Sequence, residues 1–414
     1  MKIFFCEVFK TYTADATIAA MERMGHTVRR YVYPTPENIH RDDAATERIV
    51  SDVKKEMPDV VFTVNFWGVV AEACQVLGVP YIAWVYDSPM EIRDTSPMRY
   101  DTNRIFLFDR TECEKYSRQG ISNVFYLPLA TDVQGRRVIR PWKEPLGITL
   151  VGSLYDSTLP MLLAGMGEFE RGYLEAVMAA QRKVCGDYIV PELLSADVME
   201  RVNASYARRA AGVSDTGRAA EERDASDEAR AVSSSGMEGE DSARAFQITA
   251  AELSWAVAAE LTHRERLLLL RLLASRYDTS LFSFKVSEND RRLLAGVHIN
   301  GPLDYTSEMP GVFASAKINL NPILYANGNG IPLRAIDVLS CGGFLLSSWR
   351  EDFLNYFVPD EEVVLYTCIE DAVEKADFYM RNDALREKIA AAGRVKVEKD
   401  FTYEARLEVM LGTV

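Results

Sequence analysis

Short apolar runs separated by amphipathic stretches recur along the whole chain. Residues 2–6 (KIFFC) open as a β-rich run, and residues 13–24 follow at helical spacing and stop at Gly25. Further runs lie at 28–32, 58–64, 80–85, 104–108 and 123–127, with a polar helix predicted over 110–118. Apolar strands alternating with helices predict a parallel sheet covered on both faces. This first series defines a domain over residues 1–140. A second begins with GITLV at 147–151 and runs into Gly152-Ser153. Its later strands are predicted at 281–286, 317–321, 344–347 and 363–366, and its helices at 369–380 and 383–399. The second domain thus covers 141–400, and a last amphipathic helix at 403–411 occupies the 401–414 tail.

One segment breaks the alternation. Residues 207–245 contain no Leu, Ile, Phe, Tyr or Trp and are rich in Ala, Arg, Glu, Asp and Ser. Such a stretch buries too little apolar surface to offset its ordering entropy. It reads as a mobile insertion between helices near 168–206 and 250–276. The leucines at 267–270, 272 and 273 read as core or as a helix-packing face.

Composition narrows the function classes. At 414 residues the chain suits two α/β domains. Net charge is −14, with no basic stripe for a nucleic-acid surface. The six cysteines are scattered without a C-x-x-C pair, which fits small buried thiols in a reducing compartment. No apolar run approaches ~20 residues, so no transmembrane span is expected, and the opening run is too short for a signal peptide. These features point to a cytoplasmic protein, with peripheral membrane contact left open. The four histidines, at 26, 40, 263 and 298, are too dispersed for a metal site. His298, before Asn300-Gly301-Pro302 at a strand end of the second domain, reads as a loop residue, with a place lining a cleft there as the alternative.

No G-x-G-x-x-G follows the first strand, and no P-loop, G-x-S-x-G or H-E-x-x-H is present. The informative stretch is NGNGIPLRAIDVLSCGGFLL, residues 327–346. Gly328 and Gly330 permit positive φ or close approach of a ligand. Pro332 suits a first helical turn. The helix start beyond it, with Leu333 and Arg334, offers unpaired N–H groups and a positive dipole end to phosphate. Asp337, one turn on, is placed to turn toward a sugar hydroxyl. A plain loop–helix–strand connection has the same pattern, and Arg334 and Asp337, three apart, also suit a helical ion pair.

Ligands of open α/β sheets bind at the carboxyl ends of strands. Four ends stand out: 65–68 and 86–89 in the first domain, Gly152-Ser153 and 327–332 in the second. Two ends in each domain predict a cleft between two doubly wound sheets. On the acceptor side stand Asn65, Tyr86 and Ser88. Asp87 is a candidate general base, or an Asx-turn acid introducing Ser88-Pro89.

Several blocks resemble the GT-B glycosyltransferases, specifically the CgeB-like spore-maturation glycosyltransferase family. They are GPLDYTSEMPGVFASAKINLN (301–321), GIPLRAIDVLSCGGFLL (330–346), EDFLNYFVPDEEVVLY (351–366), WVYDSP (84–89) and YLPLATD (126–132). The resemblance implies the GT-B fold: two Rossmann-like domains facing a cleft, with the insertion in the second. It also implies a nucleoside-diphosphate sugar donor and no cofactor. Related enzymes place two acids eight residues apart around this helix, the first at the donor sugar and the second at the ribose. Asp337 matches the second, and Asn329 stands where the first acid would be. The Arg…Lys phosphate pair of many relatives has no match at residues 152–155, and Arg334 is a substitute cation. The implied donor site is Gly152, Ser153, Asn329, Gly330, Ile331, Pro332, Arg334 and Asp337.

The reading is a metal-independent hexosyltransferase-like enzyme with an unidentified glycan, protein or surface-component acceptor. Two alternatives stay open: a non-catalytic nucleotide-sugar-binding or surface-assembly protein, favoured by Asn329 and the missing phosphate pair, and a nucleotide-sugar epimerase or hydrolase.

Overall fold

The computed structural model describes residues 1–36, 42–90, 92, 94–210 and 247–414. Strands β1 (Lys2–Glu7), β2 (Thr27–Val32), β3 (Val60–Val64), β4 (Tyr81–Val85), β5 (Asn103–Leu107) and β6 (Val124–Tyr126) form a parallel sheet in the order β2-β1-β3-β4-β5-β6. The central strands are apolar throughout because helices cover both faces. Ile3 and Phe5 pack with Phe62 and Trp84 on one face, whereas Phe4 and Cys6 pack with Val61 and Tyr81 on the other.

Strands β7 (Leu146–Val151), β8 (Thr279–Phe282), β9 (His298–Asn300), β10 (Ala316–Asn321), β11 (Leu345–Ser348) and β12 (Val364–Tyr366) form a second parallel sheet, ordered β12-β11-β10-β7-β8-β9. Two of these strands differ from expectation. The apolar run at 281–286 pairs only as far as Phe282; beyond it Ser283 Oγ donates to the Lys285 carbonyl at 3.2 Å, and Ser287 caps the Glu288–Leu293 helix. β9 is a three-residue edge strand, too short to leave a periodic signal, so His298 lies in a strand rather than a loop. Its Nε2 stands 3.2 Å from Asp278.

Residues Asp156–Val184 and Tyr188–Leu261 form a compact unit of their own, largely helical; both sheets and Cys185–Asp187 belong to the other unit. The helix expected near 168–206 is divided into Glu168–Gln181, Val190–Leu193 and Ala196–Ala210. Helix Ala196–Ala210 takes in residues 207–210 of the expected mobile insertion, and the rest of that insertion, 211–245, lies outside the described residues. The last helix, Tyr403–Leu411, returns to the first sheet's side: Arg23 pairs with Glu404 at 2.7 Å and Arg406 Nε donates to the Pro128 carbonyl at 3.0 Å.

Candidate active site

Each sheet has one place where the winding direction reverses, and loops leaving the carboxyl ends there diverge to leave a crevice. In the first sheet it lies between β1 and β3, in the second between β7 and β10. Loops 8–13 and 65–67 flank the first; Gly152-Ser153 and residues 322–332 flank the second. The loop after β1, which sequence reasoning passed over, carries an exposed aromatic, Tyr12. Its ring meets that of Tyr305 at 4.4 Å, and its phenol lies within electrostatic reach of Arg334, Asp337 and Asp87. Tyr305 in turn donates to Asp337, so the loop after β1 packs beside the helix that carries Arg334 and Asp337.

Asn65 organises the first side. It adopts a left-handed φ of 61°, which asparagine tolerates better than most residues. Its Oδ1 accepts the Tyr86 N–H at 2.8 Å, and its Nδ2 donates to Asp87 Oδ2 at 2.6 Å. The amide thus ties the end of β3 to the end of β4 and orients an exposed carboxylate. Ser88, expected on the acceptor side, instead donates to Asp109 Oδ2 at 2.6 Å.

On the second side Ser153 is exposed, and its Oγ accepts the Tyr155 N–H at 2.9 Å. Arg266 supplies the strap that sequence reading missed. Its guanidinium donates to the carbonyls of Ser153 and Pro322, one on each loop beside the reversal, and stacks over Tyr155 at 4.8 Å. Its Nε is buried without a protein partner. Burial lowers its pKa, Tyr155, Tyr366 and Glu265 raise it, and nearby Arg334 lowers it further. The charged triplet Arg264-Glu265-Arg266 just before a leucine run was the available signal.

The predicted helix forms as Leu333–Ser340, with Pro332 at its N-cap and no side chain capping it. Ile331 is core, so only its backbone faces the loop. Arg334 is half-buried over Phe313 at 5.4 Å, with Met309 Sδ 2.9 Å from Nη1; it forms no ion pair with Asp337.

Asp337 corrects the expectation most clearly. Its carboxylate, expected to meet ribose, is only 1% exposed and pairs with Arg136 at 2.8 Å. Thr131 and Tyr305 hydroxyls donate to the same oxygen at 2.8 and 3.1 Å. Arg136 also donates to the Asp337 carbonyl and to Ser340 Oγ, both at 3.1 Å. Burial alone would lower the pKa of Arg136, but Asp337, Cys341 and Tyr305 together more than offset it and hold the guanidinium charged. This pair joins the segment after β6 to the helix of the second sheet.

The glycine loop is likewise occupied. The N–H groups of Gly328 and Asn329 donate to Asp109 at 2.9 and 3.1 Å. Asn329 Oδ1 accepts the Asp352 N–H at 3.0 Å, so this side chain serves a neighbouring helix rather than an open donor pocket. Neither Gly328 nor Gly330 has positive φ. Their smallness serves close approach of protein instead of ligand. A Cβ on Gly330 would stand 2.6 Å from the Phe108 ring and 2.8 Å from its carbonyl, and one on Gly328 would stand 2.9 Å from Thr111. Gly330→Ala is therefore expected to cost about 1–3 kcal/mol by overpacking, measurable by urea unfolding.

Residues 258–412 match the family model described as Glycosyl transferase-like. No curated protein matches the chain at a significant level. Among solved structures, a glycosyltransferase from Rickettsia africae is similar over 100% of this chain and 97% of its own, at 9% identity and TM-score 0.57. Sucrose-phosphate synthase from Thermosynechococcus elongatus is similar over 100% and 98%, at 12% identity and TM-score 0.52. Anabaena HepE in complex with UDP is similar over 100% of both chains, at 9% identity and TM-score 0.51. At such identities these likenesses establish the fold. The chain has the two-domain α/β architecture of the GT-B type, and residues 258–412 are similar to the Glycosyl transferase-like family.

Proposed function

We propose that the protein transfers a sugar from a nucleoside-diphosphate sugar to an acceptor hydroxyl in the crevice between the two sheets. The observation that carries this reading is the meeting of the loop after β1 with the second sheet's helix: the Tyr12 ring packs on Tyr305, which donates to Asp337, one turn into the uncapped Leu333–Ser340 helix. The acceptor oxygen would bond to the anomeric carbon as the bond to the leaving diphosphate breaks. Asp87 would take the acceptor proton. The helix N–H groups and Arg334 would offset the charge growing on the diphosphate, with Gly152-Ser153 lining the donor side. In this reading fixed dipoles and a guanidinium do the work of a cation, so transfer should persist in EDTA.

The likeness of HepE, described in complex with UDP, makes a uridine nucleotide the first donor to test. The blocks shared with CgeB-like spore-maturation glycosyltransferases support a hexosyl donor and a glycan, protein or surface acceptor. Six free cysteines support a reducing, cytoplasmic setting. Among the described residues no helix is long and apolar enough to cross a membrane.

A thermal-shift panel of UDP-, GDP-, ADP- and dTDP-sugars, followed by transfer assays, tests the reading, because a ligand bound only by the folded state raises apparent stability. No shift and no turnover with any donor would end it. Arg334→Ala is expected to weaken the responding nucleotide about 10- to 100-fold, the worth of one charge-assisted hydrogen-bonding group; unchanged affinity by titration calorimetry would remove Arg334 from the site. The engagement of Asn329 with Asp352 and Asp109 favours one second reading, a nucleotide-sugar-binding protein without transfer, for which binding without turnover is the signature.

A further inference from the structure

We propose that Asp109 is a positioning residue for this site, resting on the reading above: its carboxylate clamps the glycine loop to the first sheet and thereby fixes where the Leu333–Ser340 helix start stands in the crevice. Asp109 follows β5 and is only 2% exposed. Each oxygen takes two donors. Oδ1 accepts the N–H of Thr111 at 3.0 Å and of Asn329 at 3.1 Å; Oδ2 accepts Ser88 Oγ at 2.6 Å and the Gly328 N–H at 2.9 Å. Two of these bonds orient the carboxylate from its own sheet's loops, and two reach across to the glycine loop. Both oxygens are thus satisfied by protein, as a buried carboxylate requires.

The surroundings have been fitted to this contact. Gly328 and Gly330 have no room for a Cβ against Thr111 and Phe108, the residues on either side of Asp109 and Arg110. Arg110 adds a second tie, to Asp352 at 3.2 Å, and Tyr126 donates to the other oxygen of Asp352 at 2.9 Å. Asp352 in turn donates its N–H to Asn329. Residues 108–111 therefore meet the second sheet's loops at 328–330 and at 352. Two consequences follow. The amides of Gly328 and Asn329 are filled by the protein's own anion, so the donor diphosphate is left the helix start, Arg334 and the Gly152-Ser153 side. The clamp also ties the loop, and the helix start beyond it that carries Arg334, to the first sheet.

Asp109→Asn preserves size but presents an NH₂ where two N–H or O–H donors converge. With the loop released, transfer by the full-length variant should fall about 100-fold, the scale of a misplacement near 1 Å. The Kd for UDP should weaken by less than the transfer rate falls, because Asp109 itself touches no ligand and acts only through the helix start and Arg334 that it places. Hydrogen exchange across 326–331 should accelerate. Ser88→Ala, which loosens the carboxylate from its own side, should give a smaller loss in the same direction and serves if Asp109→Asn does not fold. Turnover at the wild-type level despite faster exchange would overturn the proposal. So would UDP binding tenfold tighter, which would make the amides a phosphate site that Asp109 blocks. If the wild-type protein transfers no sugar, the functional reading fails on its own; slow, wild-type exchange in Asp109→Asn would separately refute the clamp.

Discussion

Asp337→Ala should cost about 3–5 kcal/mol of folding stability, because it leaves the buried Arg136 guanidinium without its counter-charge. The expected size follows from enclosure. The two side chains are 1% and 6% exposed, and the lone guanidinium cannot recover solvation without opening the seam between the segment after β6 and the Leu333–Ser340 helix. Thr131, Tyr305 and Ser340 would be left around a hole lined with polar atoms. Removing both charges, as Asp337→Leu with Arg136→Met, should recover much of the loss, since an apolar pair of similar volume avoids the desolvation cost. Urea unfolding of the two single variants and the double gives the coupling directly. A single variant that loses less than about 1 kcal/mol while its UDP affinity drops tenfold would restore Asp337 to the ribose. That outcome would show that the cluster opens when the donor binds.

Asp87→Asn should behave in the opposite way, leaving the fold intact and lowering turnover by about 10²- to 10⁴-fold, the range for loss of a general base. The carboxylate is exposed, so its removal falls among surface substitutions worth within about 0.5 kcal/mol. An asparagine can still turn its carbonyl toward Asn65 Nδ2, which keeps the β3–β4 loop tie. Only the capacity to take a proton goes. Donor affinity should be unchanged, and loss of turnover with unchanged donor KM assigns Asp87 to the chemical step. Wild-type turnover would reduce it to a turn-forming acid before Ser88-Pro89.

Much of the fold was legible in the chain. Short apolar or β-rich runs between helical stretches mark strands, and eleven of the twelve strands were read from them, with β8 mispositioned toward its carboxyl end. Helices bounded by their own capping residues were read almost to the residue: Arg110–Arg118 starts behind Asp109, and Tyr403–Leu411 starts behind Thr402. β9 escaped because its three residues carry a single large apolar side chain, Ile299.

The candidate site was legible only in part. Local sequence pattern marks where a strand ends and a helix begins, and on that basis it placed Asp87, Gly152-Ser153 and the 327–332 loop at strand ends. The strand orders then put Gly152-Ser153 and the 327–332 loop beside a reversal, as they do residues 65–68, because β7, β10 and β3 each border one, whereas Asp87 follows β4. Which groups meet there depends on residues far apart in the chain. Asp109 reaches the glycine loop across 219 residues and Arg136 reaches Asp337 across 201. Glycines read as room for a ligand proved to be room for Phe108 and Thr111, since backbone freedom in a sequence does not say what approaches it. The chain by itself determined the strands, the helices and the chemistry available at each strand end. Tertiary structure alone decided which acids stay exposed to act and which are spent on buried cations and amides, because solvation and pairing are set by what packs against a group.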